Sequence, residues 1–201
     1  MSTINGVDKK MNKPEHFSSC LLIGRFQPFH KGHLEVVRSI AKKCDSLIIG
    51  IGSAQYSHTY DNPFTAGERH LMISRALKEE GMGEYFLVPI VDINRYAVWV
   101  SHVVSLVPPF EVVFTNNNLT RRLFSEAEYQ VRDSPMFNRE SYSGTEIRRR
   151  MSEGDDWRDL IPTAVAKVID EIDGVNRIRD LTPRTRTKVE DDSGAGTGEY
   201  S

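Results

Sequence analysis

Leu21-Leu22-Ile23-Gly24-Arg25-Phe26-Gln27-Pro28-Phe29-His30-Lys31-Gly32-His33 is an apolar run that breaks at Gly24 into a polar, proline-bearing loop. Two histidines three residues apart close it, just where an amphipathic pattern begins at Leu34. A buried strand that ends in a loop and opens a helix aims free backbone N–H groups at whatever lies above it. Such an end suits an anion, and a phosphate most of all. Arg25, Lys31 and the two histidines add donors around the same spot. The stretch therefore reads as a phosphate site of an enzyme.

Outward from that loop, strand and helix alternate about five times. Leu34, Val37, Ile40, Ala41 and Cys44 recur at helical spacing, and Leu47 to Ile51 is a continuous apolar run. That run suits a strand buried on both faces of a parallel sheet. Thr65-Ala66-Gly67-Glu68 has the spacing of a capping box, with the helix carried on to Gly81. A third strand is expected at Tyr85–Val91, at an edge because of Pro89. A helix at Ala97–Leu106 stops before Pro108-Pro109. Glu111–Phe114 and Tyr129–Val131 read as the fourth and fifth strands, with a helix near Leu119–Glu126 between them. Helices at Ser143 onward and at Pro162–Ile172, the last, complete the pattern. The expected fold is α/β: a doubly wound, mostly parallel five-stranded sheet with helices on both faces. Its ligands would sit beyond the carboxyl ends of the strands. Residues 1–17 read as a flexible leader, 18–180 as the domain and 181–201 as a disordered tail.

Hydrophobic residues make up 39% of the 201, charged residues 27%, and the formal net charge is −2. No basic excess points to nucleic acid. No apolar run approaches the roughly 20 residues that span a bilayer. The first 17 residues lack the apolar stretch of a secretory signal. A cytoplasmic protein is the default. Cys44 lies on an apolar stripe, so it is expected buried and reduced.

Two histidines at i and i+3 at a helix start can face one side. A zinc reading lacks the glutamate of H-E-x-x-H and a third ligand nearby, so no metal site is assigned. Imidazoles donating to phosphate oxygens fit better. Ser143-Gly144-Thr145-Glu146-Ile147-Arg148 is either a capped helix with a solvated basic face or a second anion-seeking helix start. On the same sheet edge as His30, it would make the second half of a polyphosphate cradle. Gly50-Ile51-Gly52-Ser53-Ala54-Gln55 imitates a dinucleotide fingerprint, but has Gln55 where the third glycine belongs and follows the second strand. Asp92 can accept from an amide or ribose hydroxyl or merely cap a turn. Trp99 and Phe137 are core residues or stacking platforms for a flat heterocycle.

Gly24–His33 contains the H-x-G-H signature of the nucleotidyltransferase superfamily. Together with Gly52–Gln55, Asn62–Arg69 and Tyr142–Met151, in this order, it closely resembles the archaeal-type nicotinamide-nucleotide adenylyltransferases from about Leu21 to Ile178. The resemblance implies transfer of AMP from ATP to nicotinamide mononucleotide (NMN), giving NAD and pyrophosphate with Mg²⁺. It also implies a Rossmann-like nucleotidyltransferase fold and a homo-oligomer, often a hexamer. Arg25, His30, His33 and Arg148 would hold the ATP phosphates. Gly24, Phe26, Lys31, Asn117, Ser143 and Thr145 would complete the ATP site. Ser53, Asp92, Trp99 and Phe137 would line the NMN site. Related acceptors (nicotinate mononucleotide, a flavin nucleotide, pantetheine phosphate) and a non-catalytic NAD or ATP sensor are the alternatives. Two positions depart from the family pattern: Tyr96 stands for an asparagine, and Thr115-Asn116-Asn117-Asn118 for Ser-Gly-Asn-Pro.

Overall fold

The computed structural model describes residues 15–135 and 142–183. Its centre is β1 (Phe17–Gly24), parallel on one side to β2 (Cys44–Ile51) and on the other to β4 (Val112–Phe114). β3 (Tyr85–Pro89) lies outside β2 and β5 (Gln130–Arg132) outside β4, so the order is β3-β2-β1-β4-β5 and all pairs are parallel. Pro89 does end an edge strand, as its missing N–H requires. Strand order reverses between β1 and β4, which places the ligand crevice of such a sheet above the end of β1.

Alternation along β1 splits the core in two. Leu22 belongs to the core shared with α1 (Lys31–Ala41), α2 (Ala66–Glu79), α5 (Gly144–Glu153) and α6 (Thr163–Glu171). Leu21 belongs to the second core, with α3 (Tyr96–Leu106) and α4 (Asn118–Glu126). Ile48 and Val113 join Leu21, while Ile49 and Phe114 join Leu22. Removing roughly 25 cal/mol per Å² of apolar surface from water is what holds the layers together.

Three details differ from the sequence expectations. The chain forms a further helix, α7 (Gly174–Leu181), after the one expected to be last. Its apolar residues are few, Val175, Ile178 and Leu181 among charged ones, and besides the buried Ile178 it is anchored by an ion pair that spacing alone does not show. β1 begins at Phe17, the last residue of the expected leader, because that ring is buried edge-on against Phe114. Cys20 and Cys44 are joined as a disulfide, where a reduced Cys44 was expected. The cysteines lie on neighbouring strands with their Cα atoms 6.1 Å apart, within the range a disulfide spans, and that strand adjacency is invisible in the sequence.

The capping box of α2 forms as its spacing requires: the Glu68 amide donates to Thr65 Oγ1 at 3.2 Å and the Thr65 amide to Glu68 Oε2 at 2.9 Å. Arg177 of α7 then donates to both Glu68 oxygens, at 2.7 and 2.9 Å. Burial works to raise the Glu68 carboxyl, but the Arg177 fork and the Thr65 donors outweigh it and hold it below its ordinary 4.5. A depressed carboxylate contributes stability above its unfolded pKa that is lost as pH falls through the folded one. Glu68→Gln should therefore cost about 1–2 kcal/mol at neutral pH. Denaturant titrations should also show that the variant lacks part of the wild-type loss of stability below about pH 4.5.

Candidate active site

α1 starts with its two histidines capping each other. His30 is the N-cap: its Nδ1 accepts from the His33 amide at 3.2 Å, and His33 Nδ1 accepts from the His30 amide at 3.3 Å. The reciprocal arrangement is that of a capping box with imidazoles in place of hydroxyl and carboxylate. An Nδ1 that accepts carries no proton, so each neutral ring bears its proton on Nε2. The rings stack with centroids 3.5 Å apart. Burial pushes His30 down to about 4, and burial with the neighbouring His30 pushes His33 well below 6.5. Two neutral N–H donors result, fixed in orientation before any ligand arrives. Gly32 between them is required by space: a Cβ there would come within 2.8 Å of Tyr142 Cβ and 3.1 Å of His30 Nδ1.

The loop from β1 into α1 is strained. Phe26 has φ 52°, a genuine outlier for an aromatic residue. Its ring lies 4.9 Å edge-on from His33 and over Gly24, where a Cβ would meet it at 2.7 Å. Arg69, on the first turn of α2, holds the loop from below with its side chain fully buried. It donates to the carbonyls of Arg25 (2.8 Å), Gly52 (2.8 Å), Ser53 (3.1 Å) and Thr65 (3.3 Å). Burial, then repulsion from Arg25, lowers it to about 10, so it stays charged at neutral pH. Gln27 clasps the same region, its amide paired with both backbone groups of Phe64.

Two cavities open above the carboxyl ends of the strands. The larger, about 830 Å³, runs from Gly24, Arg25, Phe26, His30, His33 and the α5 start at Ser143 to the exits of β4 and β5 at Thr115–Asn117 and Ser134. The smaller, about 390 Å³, lies over β2 and β3 and is walled by Ser53, Asp92, Tyr96 and Trp99. They share Ile23, Gly24, Arg25, Asn117 and Leu119, so they meet above β1. Arg25 makes no ion pair with any described residue and stands at that shared wall. In the smaller cavity Ser53 Oγ donates to Asp92 Oδ2 at 2.7 Å. Gln55, the residue that spoils the dinucleotide fingerprint, pairs its amide with both backbone groups of Asp92 at 3.0 Å. Trp99 is partly exposed and edge-on to Phe124 at 5.7 Å.

Most of the residues expected from sequence thus converge. Ser143 caps α5, its Oγ accepting from the Glu146 amide at 3.1 Å, and Asn117 caps α4. Three residues sit apart from the cavity walls. Lys31 lies in a shallow recess with Glu35 and Arg38. Thr145 is exposed and accepts from Arg148 Nη2 at 3.4 Å. Arg148 is 4% exposed behind the loop, donating to the Gln27 carbonyl at 2.9 Å and to Asp61 Oδ1 at 3.1 Å. Burial lowers it, with Asp61 and Tyr60 opposing and Arg25 adding to the fall. Phe137 lies outside the described residues. Sequence reasoning assigned no role to Arg69, Gln27 or Asp61. For Arg69 a signal existed: an arginine in register with Met72, Ile73 and Ala76 on an apolar stripe.

A strand–loop–helix junction between two cavities, on a parallel sheet of this order, is the arrangement of a nucleotidyltransferase-type protein, and the comparisons agree. The cytidylyltransferase-like family model matches residues 21–150. A nicotinamide-nucleotide adenylyltransferase of Thermoplasma acidophilum is 60% identical over 161 residues, 80% of this chain and 90% of the relative. One of Archaeoglobus fulgidus is 54% identical over 167 residues, 81% and 96% of the two chains. The chain belongs to the nicotinamide-nucleotide adenylyltransferase family. In fold it is similar to a bifunctional NMN adenylyltransferase/ADP ribose pyrophosphatase of Francisella tularensis, complexed with AMP and a manganese ion. The TM-score there is 0.68 at 21% identity, with 82% of this chain and 52% of that one covered. The chain thus spans about half the length of that bifunctional protein.

The histidine geometry has a direct consequence. Between pH 6.5 and about 4 the unfolded chain binds protons that the native histidines refuse, so stability falls as pH drops through that window. NMR titration of the ligand-free protein should show neither His30 nor His33 gaining a proton near 6.5, His30 titrating only towards pH 4. An inflection of either near 6.5 would contradict the mutual cap.

Proposed function

We propose that the chain transfers the adenylyl group of ATP to nicotinamide mononucleotide, forming NAD and pyrophosphate. One observation carries this reading: the two cavities share a wall at Gly24–Arg25, so two nucleotides placed in them bring their phosphates together above β1. The names of the relatives support the same reaction.

The nucleophile is a phosphate oxygen of the mononucleotide, already anionic at neutral pH, and needs no general base. It attacks the α-phosphorus of ATP; the bond from that phosphorus to the bridging oxygen breaks, and pyrophosphate carries the electron pair away. Two anions must be held in line against their repulsion, so positioning and electrostatics supply most of the rate. His30 and His33 donate from Nε2 to the transferring phosphoryl, aided by the free amides of the α1 start. Arg25 neutralises charge where the cavities meet. Arg148 lends positive potential to the leaving pyrophosphate from behind the loop; Lys31, which faces the recess beside Glu35 and Arg38, is left out of the proposed cradle. Gly24, Phe26, Asn117 and Ser143 line the ATP chamber, and Thr145 accepts from Arg148 outside it. Ser53 and Asp92 take the mononucleotide's ribose or amide, and Trp99 stacks on its ring, with Phe137 assigned to the same site.

Mg²⁺ would enter with ATP and would supply neutralisation of charge on its phosphates. Among the described residues no group of three or more His, Cys, Asp or Glu is placed to hold a metal ion. Self-association, up to a hexamer, is part of the proposal and is supported by Tyr96, Val98, Val104 and Leu106, apolar yet exposed on α3. No helix among the described residues is long and apolar enough to cross a membrane, and a cytoplasmic location is proposed with the reaction.

Incubation with ATP, Mg²⁺ and each acceptor, with pyrophosphate measured, tests the assignment. Nicotinamide mononucleotide should be the best acceptor. Preference for nicotinate mononucleotide, a flavin nucleotide or pantetheine phosphate would reassign it, and tight NAD binding without turnover would make the chain a sensor. His33→Ala should lower kcat by roughly 10² with a small loss of stability, the scale of one transition-state donor. Unchanged turnover would remove His33 from the mechanism.

A further inference from the structure

The larger cavity has a second polar end that the phosphate chemistry leaves unused. Its phosphate donors cluster at the exit of β1 and the starts of α1 and α5. Its far end lies over β4 and β5, up to two strand spacings away, or about 10 Å. A triphosphate seated on the histidines directs its nucleoside there. At that end Ser134 is only 8% exposed and lines the cavity, yet its Oγ has no hydrogen-bond partner among the described residues. A buried hydroxyl without a partner is disfavoured unless something arrives to meet it. The neighbouring hydroxyl is different: Thr115 Oγ1 already accepts from the Asn117 amide at 3.1 Å.

Asn116 lies beside it. Its Nδ2 donates to the Ser134 carbonyl at 2.8 Å. Only the amino side of an amide can donate to a carbonyl, so this bond fixes which way the group points. Asn116 Oδ1 takes no hydrogen bond from a described residue, and the residue is part of the cavity wall. The far end therefore presents one fixed acceptor and one rotatable hydroxyl.

We infer that Asn116 Oδ1 and Ser134 Oγ read the six-position edge of the base of ATP, an inference that rests on ATP occupying the larger cavity. Adenine offers an amino donor at position six beside an acceptor at N1. Asn116 Oδ1 accepts from the amino group, and Ser134 donates to N1. A six-oxo purine reverses both: its carbonyl faces Asn116 Oδ1, while the Ser134 hydroxyl can turn to accept from N1–H. Asn116 is thus the discriminating residue, and Ser134 contributes affinity for the purine edge in general.

The test compares ATP with inosine triphosphate in wild type, Asn116→Ala and Ser134→Ala, both of which keep the Ser134 carbonyl. Wild type should favour ATP in kcat/KM by at least roughly 10-fold, because a site built to pair a polar edge rejects its reversal. Asn116→Ala should bring that ratio to within about threefold, and Ser134→Ala should raise KM for ATP about fivefold or more, with the losses falling on KM and not kcat. A ratio and a KM for ATP equal to wild type in both variants would overturn the inference. Calorimetry of ATP and inosine triphosphate without acceptor separates this from the reaction itself. Absent turnover with an ATP preference lost in Asn116→Ala refutes the adenylyl transfer and sustains the base reading. Turnover with equal binding of the two triphosphates does the reverse.

Discussion

Arg69 is the constraint on which the site depends. Its guanidinium is buried without a carboxylate among its described partners, and burying such a charge alone costs several kcal/mol. Four carbonyls offset that cost, and they belong to the exit of β1, the exit of β2 and the start of α2. The arginine therefore specifies geometry more than it adds stability. Those carbonyls are turned towards Arg69, while Arg25 and Ser53 of the same loops line the cavities. Arg25 illustrates the division: its carbonyl accepts from Arg69 below while its side chain stands at the shared wall above.

The histidine pair extends the same logic to the chemistry. A mutual cap orients both Nε2–H donors before any substrate binds, so in the proposed transfer the transition state would not bear the cost of orienting them. Keeping them neutral is a consequence of the burial that fixes them. Positive charge is supplied instead by Arg25 in front of the loop and Arg148 behind it. Burial is the main cause of the lowering of Arg148, and repulsion from Arg25 adds to it; a polyphosphate between the two would relieve that repulsion.

Much of this was legible in the sequence because it is local. The apolar run into Gly24, the Thr65–Glu68 box, the edge proline and the Ser143 cap are all short-range patterns, and each forms where its spacing required. The resemblance assigned Arg25, His30 and His33 to the ATP phosphates and Ser53, Asp92 and Trp99 to the NMN site; in the fold the histidines line the larger cavity, the last three the smaller, and Arg25 both. What was not legible depends on register and tertiary contact. The disulfide needs the β1–β2 pairing; α7 needs Glu68; Arg148 needs Gln27 and Asp61 to explain why it sits behind the wall. Lys31 was expected near the phosphates from proximity in sequence, but one residue along a helix turns a side chain by about 100°, and it faces a different recess.

A crystal structure of the protein with NAD bound tests the central claim most directly, because NAD carries both halves of the reaction in one molecule. The account predicts adenosine in the larger cavity, the nicotinamide ring against Trp99, and the bridging phosphates above Gly24 within hydrogen-bond reach of Arg25 and His33. Both halves in one cavity, or phosphates away from the histidines, would contradict it.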